Sequence, residues 1–331
     1  WTIRVAWTSH KMKTWDLTTL GSTMLSLTTE PGAPLLSSEG IRLDIAGAES
    51  NCAIALARLG KRVAWHSKVA RTSLGERIVS GIRAHNVDVS SVFWSESGRN
   101  EQMWVEAGLG GNRTMITYDR AGAAVESFKI QEVDLTALQQ STFFHATGIT
   151  PALSENCRHT VSEAVRLARK AGVRVSFDVN YRAKLWEPAR AREVLSSIIS
   201  GIDVLFIGQD DLGTVWERTG DPDDELHRLQ DDFGIANVVL TRGALGARAL
   251  LDDHLCDHGA FLSEVVSPIG SGDAFAAGVL YSLLEDEVDL ALKRGCAMAA
   301  LARESRSDYV VGGNEALEVR MGEEGEKNLS R

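Results

Sequence analysis

The stretch TFFHATGITPALSENCRHTVSEAVRLARKAGVRVSFDVN, residues 142–180, holds a whole structural unit in one pass. TFFHATG (142–148) reads as a buried strand, and ENCRHTVSEAVRLARKAG (155–172) as an amphipathic helix closing on Gly172. VRVSFDVN (173–180) then reads as the next strand. Further along, the rhythm continues through ARAREVLSSIISG, DVLFIG, a polar helix near 221–233, and NVVLTRG. Strands and helices in alternation predict βαβ units, and so an α/β fold with a mainly parallel sheet covered by helices on both faces.

Two stretches break this rhythm. Residues 24–47 and 101–120 read as short alternating strands around Gly-rich turns. They are either plain surface hairpins or a small sheet standing off the α/β body, as a lid over a site or a dimer contact. The first residues, WTIRVAWTSHK, carry no strand or helix pattern, whereas KTWDLTTLG after Met12 reads as a strand running into a glycine turn. Residues 1–11 are therefore expected to be a non-native or disordered extension, with the folded domain spanning 12–331.

The chain has 331 residues, 44% apolar and 24% charged, which describes an ordinary globular protein. Its net charge of -10 argues against a surface that tracks nucleic acid or anionic lipid, so any anionic ligand must be held by local groups. Cys52, Cys157, Cys256 and Cys296 lie far apart without a CxxC pair and read mostly as buried thiols rather than metal ligands. The pattern shows no membrane-spanning apolar run and no signal peptide, and a cytoplasmic location is expected.

Four constellations bear chemistry. In SPIGSGDAFAAG (267–278), Gly270, Ser271 and Gly272 lead into a helix whose free N–H groups and dipole suit an anion. Asp273 is either an ordinary first-turn residue there, worth roughly 1 kcal/mol as a cap, or a functional carboxylate. In AGAESNCAIALARLG (46–60), the small residues around Gly47 let backbone approach a ligand and Asn51 offers a donor and an acceptor; read alone, Asn51 is a helix cap as readily as a sugar contact. FDVNYRAKLW places Asp178, Asn180, Tyr181 and Arg182 after a strand, where open α/β sheets bind ligands. VVLTRGALGARAL places Thr241, Gly243 and Gly246 in a turn that admits a nucleotide or simply closes a hairpin.

Taken in order, these motifs resemble those of the ribokinase-like, or PfkB, family of carbohydrate kinases, over residues 15–321. AGAESNCAIALARLG is similar to the family's first signature and IGSGDAFAAG to its second. GAESN, TGITPALS, FDVNYRAKLW, TYDRAGAAV and SDYVVGGNEAL resemble segments of the 2-keto-3-deoxygluconate kinase branch. The resemblance implies a three-layer α/β/α domain with a small β-sheet lid formed by 24–47 and 101–120. It implies ATP-dependent phosphorylation of a sugar acid, with Asp273 as general base, kept ionised by the helix dipole, and the 270–272 backbone as anion hole. Gly47, Asn51, Tyr118, Arg120, Ile149 and Arg182 would bind the sugar, Arg120 and Arg182 meeting its carboxylate. Thr241, Gly243 and Gly246, with Gly270 and Gly272, would hold ATP.

Magnesium is implied as a cofactor, with a monovalent cation such as K+ beside it. The family's Asn-x-x-Glu falls on Gly208 to Asp211, leaving Asp211 as the acid, acting on the metal through water; an aspartate common in the family is Ser267. A branch-typical lid aromatic falls at Met103 or Trp104. Other readings are a kinase for a neutral ketose such as fructose, for a nucleoside or for an inositol-derived acid, and a non-catalytic sugar-binding relative. A dinucleotide-binding oxidoreductase is excluded, since no GxGxxG follows the first strand. A homodimer through the lid is expected, with no nucleic acid or membrane partner.

Overall fold

A computed structural model describes residues 13–108 and 114–329. Residues 1–12, and 109–113 within the second lid segment, lie outside the described residues. In chain order the strands are β1 (Trp15–Leu20), β2 (Met24–Thr29), β3 (Ile41–Ala46), β4 (Val63–His66), β5 (Lys68–Ala70), β6 (Phe93–Ser95) and β7 (Gln102–Glu106). They continue as β8 (Met115–Asp119), β9 (Ser141–Thr147), β10 (Arg174–Asp178), β11 (Val204–Gly208), β12 (Asn237–Thr241), β13 (Ala247–Leu251) and β14 (His254–His258).

The body is an eight-stranded sheet in the order β14-β13-β12-β11-β10-β9-β1-β4. Strands from β4 to β12 in that order pair in parallel, and β13 and β14 add on antiparallel. The unit over 142–180 supplies the middle of this sheet: β9, the helix Glu155–Lys170 and β10. Its continuous apolar runs follow from burial on both faces. Neighbouring side chains on β9 show it: Phe143 packs into one hydrophobic core and Phe144 into the other. Helices Ala48–Arg58, Ser271–Leu284 and Ala291–Arg303 cover the first face, and Glu155–Lys170, Pro188–Ile199 and Pro222–Phe233 the second. The result is the three-layer, ribokinase-like arrangement. Cys52, Cys157 and Cys296 are buried free thiols and Cys256 is half-buried. Among the described residues no helix is long and apolar enough to cross a membrane.

The two rhythm-breaking segments fold together. β2 and β3 form one antiparallel pair, β7 and β8 another, and β2 pairs with β7 in parallel, giving a separate four-stranded sheet β3-β2-β7-β8. The strands alternate as a half-buried sheet should: Met103 and Val105 on β7 are buried while Gln102, Trp104 and Glu106 are only half-buried. Lys184, on the loop after β10, donates to the Ile116 carbonyl of β8 at 3.2 Å and ties this sheet to the body.

Because Phe144 is fully buried on the central strand β9, Phe144→Ala is expected to cost about 3–5 kcal/mol, as truncation of a buried aromatic does. Urea unfolding of the variant beside the parent chain measures it.

Candidate active site

Strands β9, β10, β11 and β12 all end on the same side of the sheet, and there a cavity of about 380 Å³ lies between the sheet ends and the four-stranded sheet. Its floor is the start of the helix Ser271–Leu284. Gly270 caps that helix at φ 78°, the left-handed region glycine favours. A Cβ on Gly270 would lie 1.8 Å from the Asp308 carbonyl oxygen, so no other residue fits. At Gly272 a Cβ would meet nothing within 4 Å, and the backbone there opens toward the cavity. The first N–H groups of this helix have no partner within it and form a positive concavity.

Asp273 stands in the first turn of that helix and is 8% exposed. Its carboxylate accepts from Asn51 Nδ2 at 2.8 Å and from Asn180 Nδ2 at 3.5 Å. Asn51 comes from the helix Ala48–Arg58, which Gly47 caps; a Cβ on Gly47 would lie 2.4 Å from the Ser22 carbonyl. Asn180 follows β10 at φ 39°, a conformation asparagine tolerates, and its amide also reaches Asp178 Oδ2 at 3.1 Å. Burial pushes the Asp273 carboxyl above the ordinary aspartate range, and the Asn51 bond, the Arg182 charge and Asn180 pull it back.

Asp178 and Asp211 complete an acidic wall. Burial, joined by repulsion from Asp273 and Asp211, pushes Asp178 up to about 8. Asp211 accepts from the Tyr181 N–H at 3.0 Å and is also raised, mainly by burial. The Arg182 charge favours the ionised form of all three. Carboxylate oxygens are the donors a hard divalent cation takes. Among the described residues no group of three or more His, Cys, Asp or Glu side chains could hold such an ion alone, so magnesium fits here only with phosphate and water supplying its remaining ligands. Ser267 brings no charge: its hydroxyl accepts from the Ile269 N–H at 3.3 Å.

The opposite wall is the four-stranded sheet. Tyr118, Arg120 and Met103 line the cavity from it, while Trp104 does not, so the lid side chain facing the site is Met103. Arg120 pairs with Glu101 at 3.3 Å and lies 4.9 Å from the Tyr118 ring centre. Glu101 is 2% exposed, so this ion pair is inside the wall rather than on the surface. Gly47, Asn51, Ile149, Arg182, Asp211, Thr241 and 270–273 line the same cavity. Gly243 and Gly246 line instead a neighbouring cavity of about 340 Å³, which shares Thr241, Ser271 and Gly272 with the first. The hairpin reading of that segment holds too, since β12 and β13 pair antiparallel around the turn. Gly246, at φ 84°, would bring a Cβ to 2.0 Å from the His258 carbonyl. Tyr181 is turned away, its hydroxyl donating to the Trp186 carbonyl at 2.9 Å.

Buried acids that the sequence reading did not single out include Glu49, Glu101 and Asp308. Asp308 is pushed up to about 6, mainly by burial.

Residues 16–311 match the family described as pfkB family carbohydrate kinase. The chain is 37% identical to the 2-dehydro-3-deoxygalactonokinase of Haloferax volcanii over 89% of this chain and 93% of that one. It is 29% identical to the 2-dehydro-3-deoxygluconokinase of Bacillus subtilis over 88% and 91%. The crystal structure of 2-dehydro-3-deoxygluconokinase from Thermotoga maritima superposes with a TM-score of 0.85 at 23% identity, covering 92% of this chain and 98% of that one. The chain belongs to the pfkB family of carbohydrate kinases, enzymes of phosphoryl transfer.

Proposed function

We propose that this kinase transfers the γ-phosphoryl group of ATP to a hydroxyl of a 2-keto-3-deoxy (2-dehydro-3-deoxy) sugar acid, 2-keto-3-deoxygluconate or its galactonate epimer. The observation that carries this reading is one cavity holding a buried carboxylate, an open glycine turn at a helix start, and two guanidinium groups, Asp273, 270–272, Arg120 and Arg182. Relatives named for such acids support the substrate class.

Asp273 accepts the proton of the substrate hydroxyl as that oxygen bonds to the γ-phosphorus and the bond to ADP breaks. A carboxylate lifted above its ordinary value by burial is a better base than one in water, and the donors Asn51 and Asn180 keep its lone pairs aimed. The N–H groups of 270–272 meet charge on the transferring oxygens, where losing one donor typically costs about 3 kcal/mol. Thr241, Gly243 and Gly246 would take the nucleotide in the neighbouring cavity. Magnesium, when bound, would neutralise phosphate charge; Asp211 would hold it through water. If K+ binds beside the phosphates, Ser267 brings it no acid. Arg182 and Arg120 would take the substrate carboxylate, with Tyr118, Ile149, Gly47 and Asn51 shaping the rest. A neutral ketose brings no carboxylate for Arg182 and Arg120 to meet. A sugar-binding protein without turnover has no use for the base.

The four-stranded sheet acts as a closing lid, which keeps water from the γ-phosphoryl group until sugar is present. Its outer face carries Leu43, Leu27 and Trp104 in register across β3, β2 and β7, with Leu43 40% exposed, and a second copy would cover that row. A cytoplasmic homodimer follows from this reading.

Asp273→Asn is expected to lower kcat by about 10² to 10⁴ while ATP and sugar affinity stay within a few fold, since the amide keeps the shape but takes no proton. Steady-state kinetics decide it, and near-normal kcat removes Asp273 as base. Arg182→Ala is expected to raise KM for the acid sugar more than for its neutral analogue, by a charge-assisted contact worth about 1.5–3 kcal/mol; equal losses assign Arg182 to structure or ATP. Amide exchange in 24–47 and 101–120 should slow when sugar saturates the enzyme, and light scattering should give a dimer mass. Unchanged exchange refutes closure, and a monomer mass refutes the dimer alone.

A further inference from the structure

The steps above leave unused a carboxyl group buried directly behind the cavity. Glu49, in the first turn of the helix Ala48–Arg58, is 0% exposed. Its Oε1 accepts from Thr147 Oγ1 and Thr150 Oγ1, both at 2.8 Å, while Oε2 is buried without a hydrogen-bond partner. The group is fitted against the end of β1, where a Cβ on Gly21 would lie 2.1 Å from Glu49 Cδ. One side chain therefore joins the ends of β1 and β9 to two helix starts.

Two groups that line the cavity hang on this contact. Thr147 Oγ1, which donates to Glu49, also accepts from the Ile149 N–H at 3.2 Å. Asn51, two residues along the helix from Glu49, holds Asp273 at 2.8 Å. The charged group that faces Glu49 is Asp273, which repels it; Cys52 on the same helix is a thiol that burial pushes up. Gly21, Thr147 and Thr150, the neighbours from the other elements, bring no charge. Two hydroxyls do not replace a cation for an ionised carboxylate in such a place. Burial, with Asp273 adding, moves Glu49 up to about 7. The charged form gains by reaching water, which opens the packing of the helix start that carries Asn51.

We propose that Glu49 is a positioning residue for phosphoryl transfer: as the neutral acid it holds Asn51 and Ile149 against the cavity through Thr147 and Thr150, and its ionisation loosens that hold and lowers turnover. The proposal rests on the kinase reading above and on Asp273 as the reacting carboxylate.

The test is the pH profile of kcat/KM from about pH 5.5 to 9 for the parent chain, Glu49→Gln and Thr150→Val. The parent should lose activity on an alkaline limb centred near the Glu49 value of about 7. Glu49→Gln mimics the neutral acid, so it should keep turnover within about threefold of the parent at the acid end and lose that limb. Thr150→Val removes a donor that favours the charged form, so its limb should move to higher pH. A role in packing alone would lower stability in either variant without moving the limb. An unaltered limb in Glu49→Gln, as a limb set by Asp178 would give, or a limb in Thr150→Val that does not rise, overturns the proposal. If Glu49→Gln does not fold, the Thr150→Val shift decides alone. The profile is read on whichever sugar is phosphorylated, so preference for a neutral sugar overturns the substrate reading without touching this test.

Stability supplies a readout free of activity. The folded chain holds this proton more tightly than the unfolded chain, whose glutamate keeps its ordinary value of 4.5. Stability from the protonated group is therefore full below that value and is lost as pH rises through about 7. Urea midpoints of the parent should fall relative to Glu49→Gln across that window, and parallel curves also overturn the proposal.

Discussion

The site depends on one hydrogen bond, from Asn51 Nδ2 to Asp273 Oδ2 at 2.8 Å, between residues 222 apart in sequence. A carboxylate 8% exposed would be costly to bury without donors. That cost is met by bringing together two helix starts, at Gly47 and Gly270, each made close enough by a glycine whose Cβ would collide with backbone. They meet at the edge where the parallel strands β9 to β12 all end, although the helices themselves follow β3 of the lid sheet and the antiparallel strand β14. A Cβ at either glycine would collide with neighbouring backbone, Ser22 at Gly47 and Asp308 at Gly270, and disturb the helix start that carries Asn51 or Asp273.

Electrostatics around that bond resolve an apparent conflict between an acidic chain and anionic substrates. Net charge of -10 is repulsive to ATP and sugar acid alike. The cavity itself is acidic on the strand side, where Asp178, Asp211 and Asp273 are all raised above the ordinary range. Attraction must then be local: helix-start N–H groups at 270–272, Arg182, and Arg120 on the lid side. Asp178 is repelled by both Asp273 and Asp211, and in the proposed reading a cation arriving with nucleotide would relieve that repulsion. A divalent charge bound there would lower the pKa of Asp178 and Asp273 together.

What the sequence made legible was local. The strand and helix of 142–180, the glycine turn before Asp273 and the two hairpin segments each announce themselves within about twenty residues. Partner choice was not legible. Nothing in 24–47 says that β2 will pair in parallel with β7 and fuse two hairpins into one sheet, because that pairing is set by which faces are buried after folding. The sequence offered Arg120 as a cation for the sugar carboxylate, and Glu101 beneath it, a buried partner, follows from the strand register rather than from spacing. Glu49 was invisible for a similar reason: an acid in a first helix turn is ordinary, and only the fit against Gly21, Thr147 and Thr150 makes it exceptional.

The same fit explains why burial can serve the chemistry here instead of opposing it. A base for phosphoryl transfer needs to be ionised at working pH yet as basic as that allows. Desolvation raises the Asp273 carboxyl, and Asn51, Arg182 and Asn180 each return part of that shift. The balance is tunable by small movements, since the Asn180 bond is already at 3.5 Å and Arg182 sits on an exposed loop. In the proposed reading, a substrate carboxylate that draws Arg182 toward itself would take part of that guanidinium charge away from Asp273 and strengthen the base. A neutral sugar would not. Discrimination in favour of acids would then arise in the basicity of Asp273 as well as in binding, with the arginine acting on both.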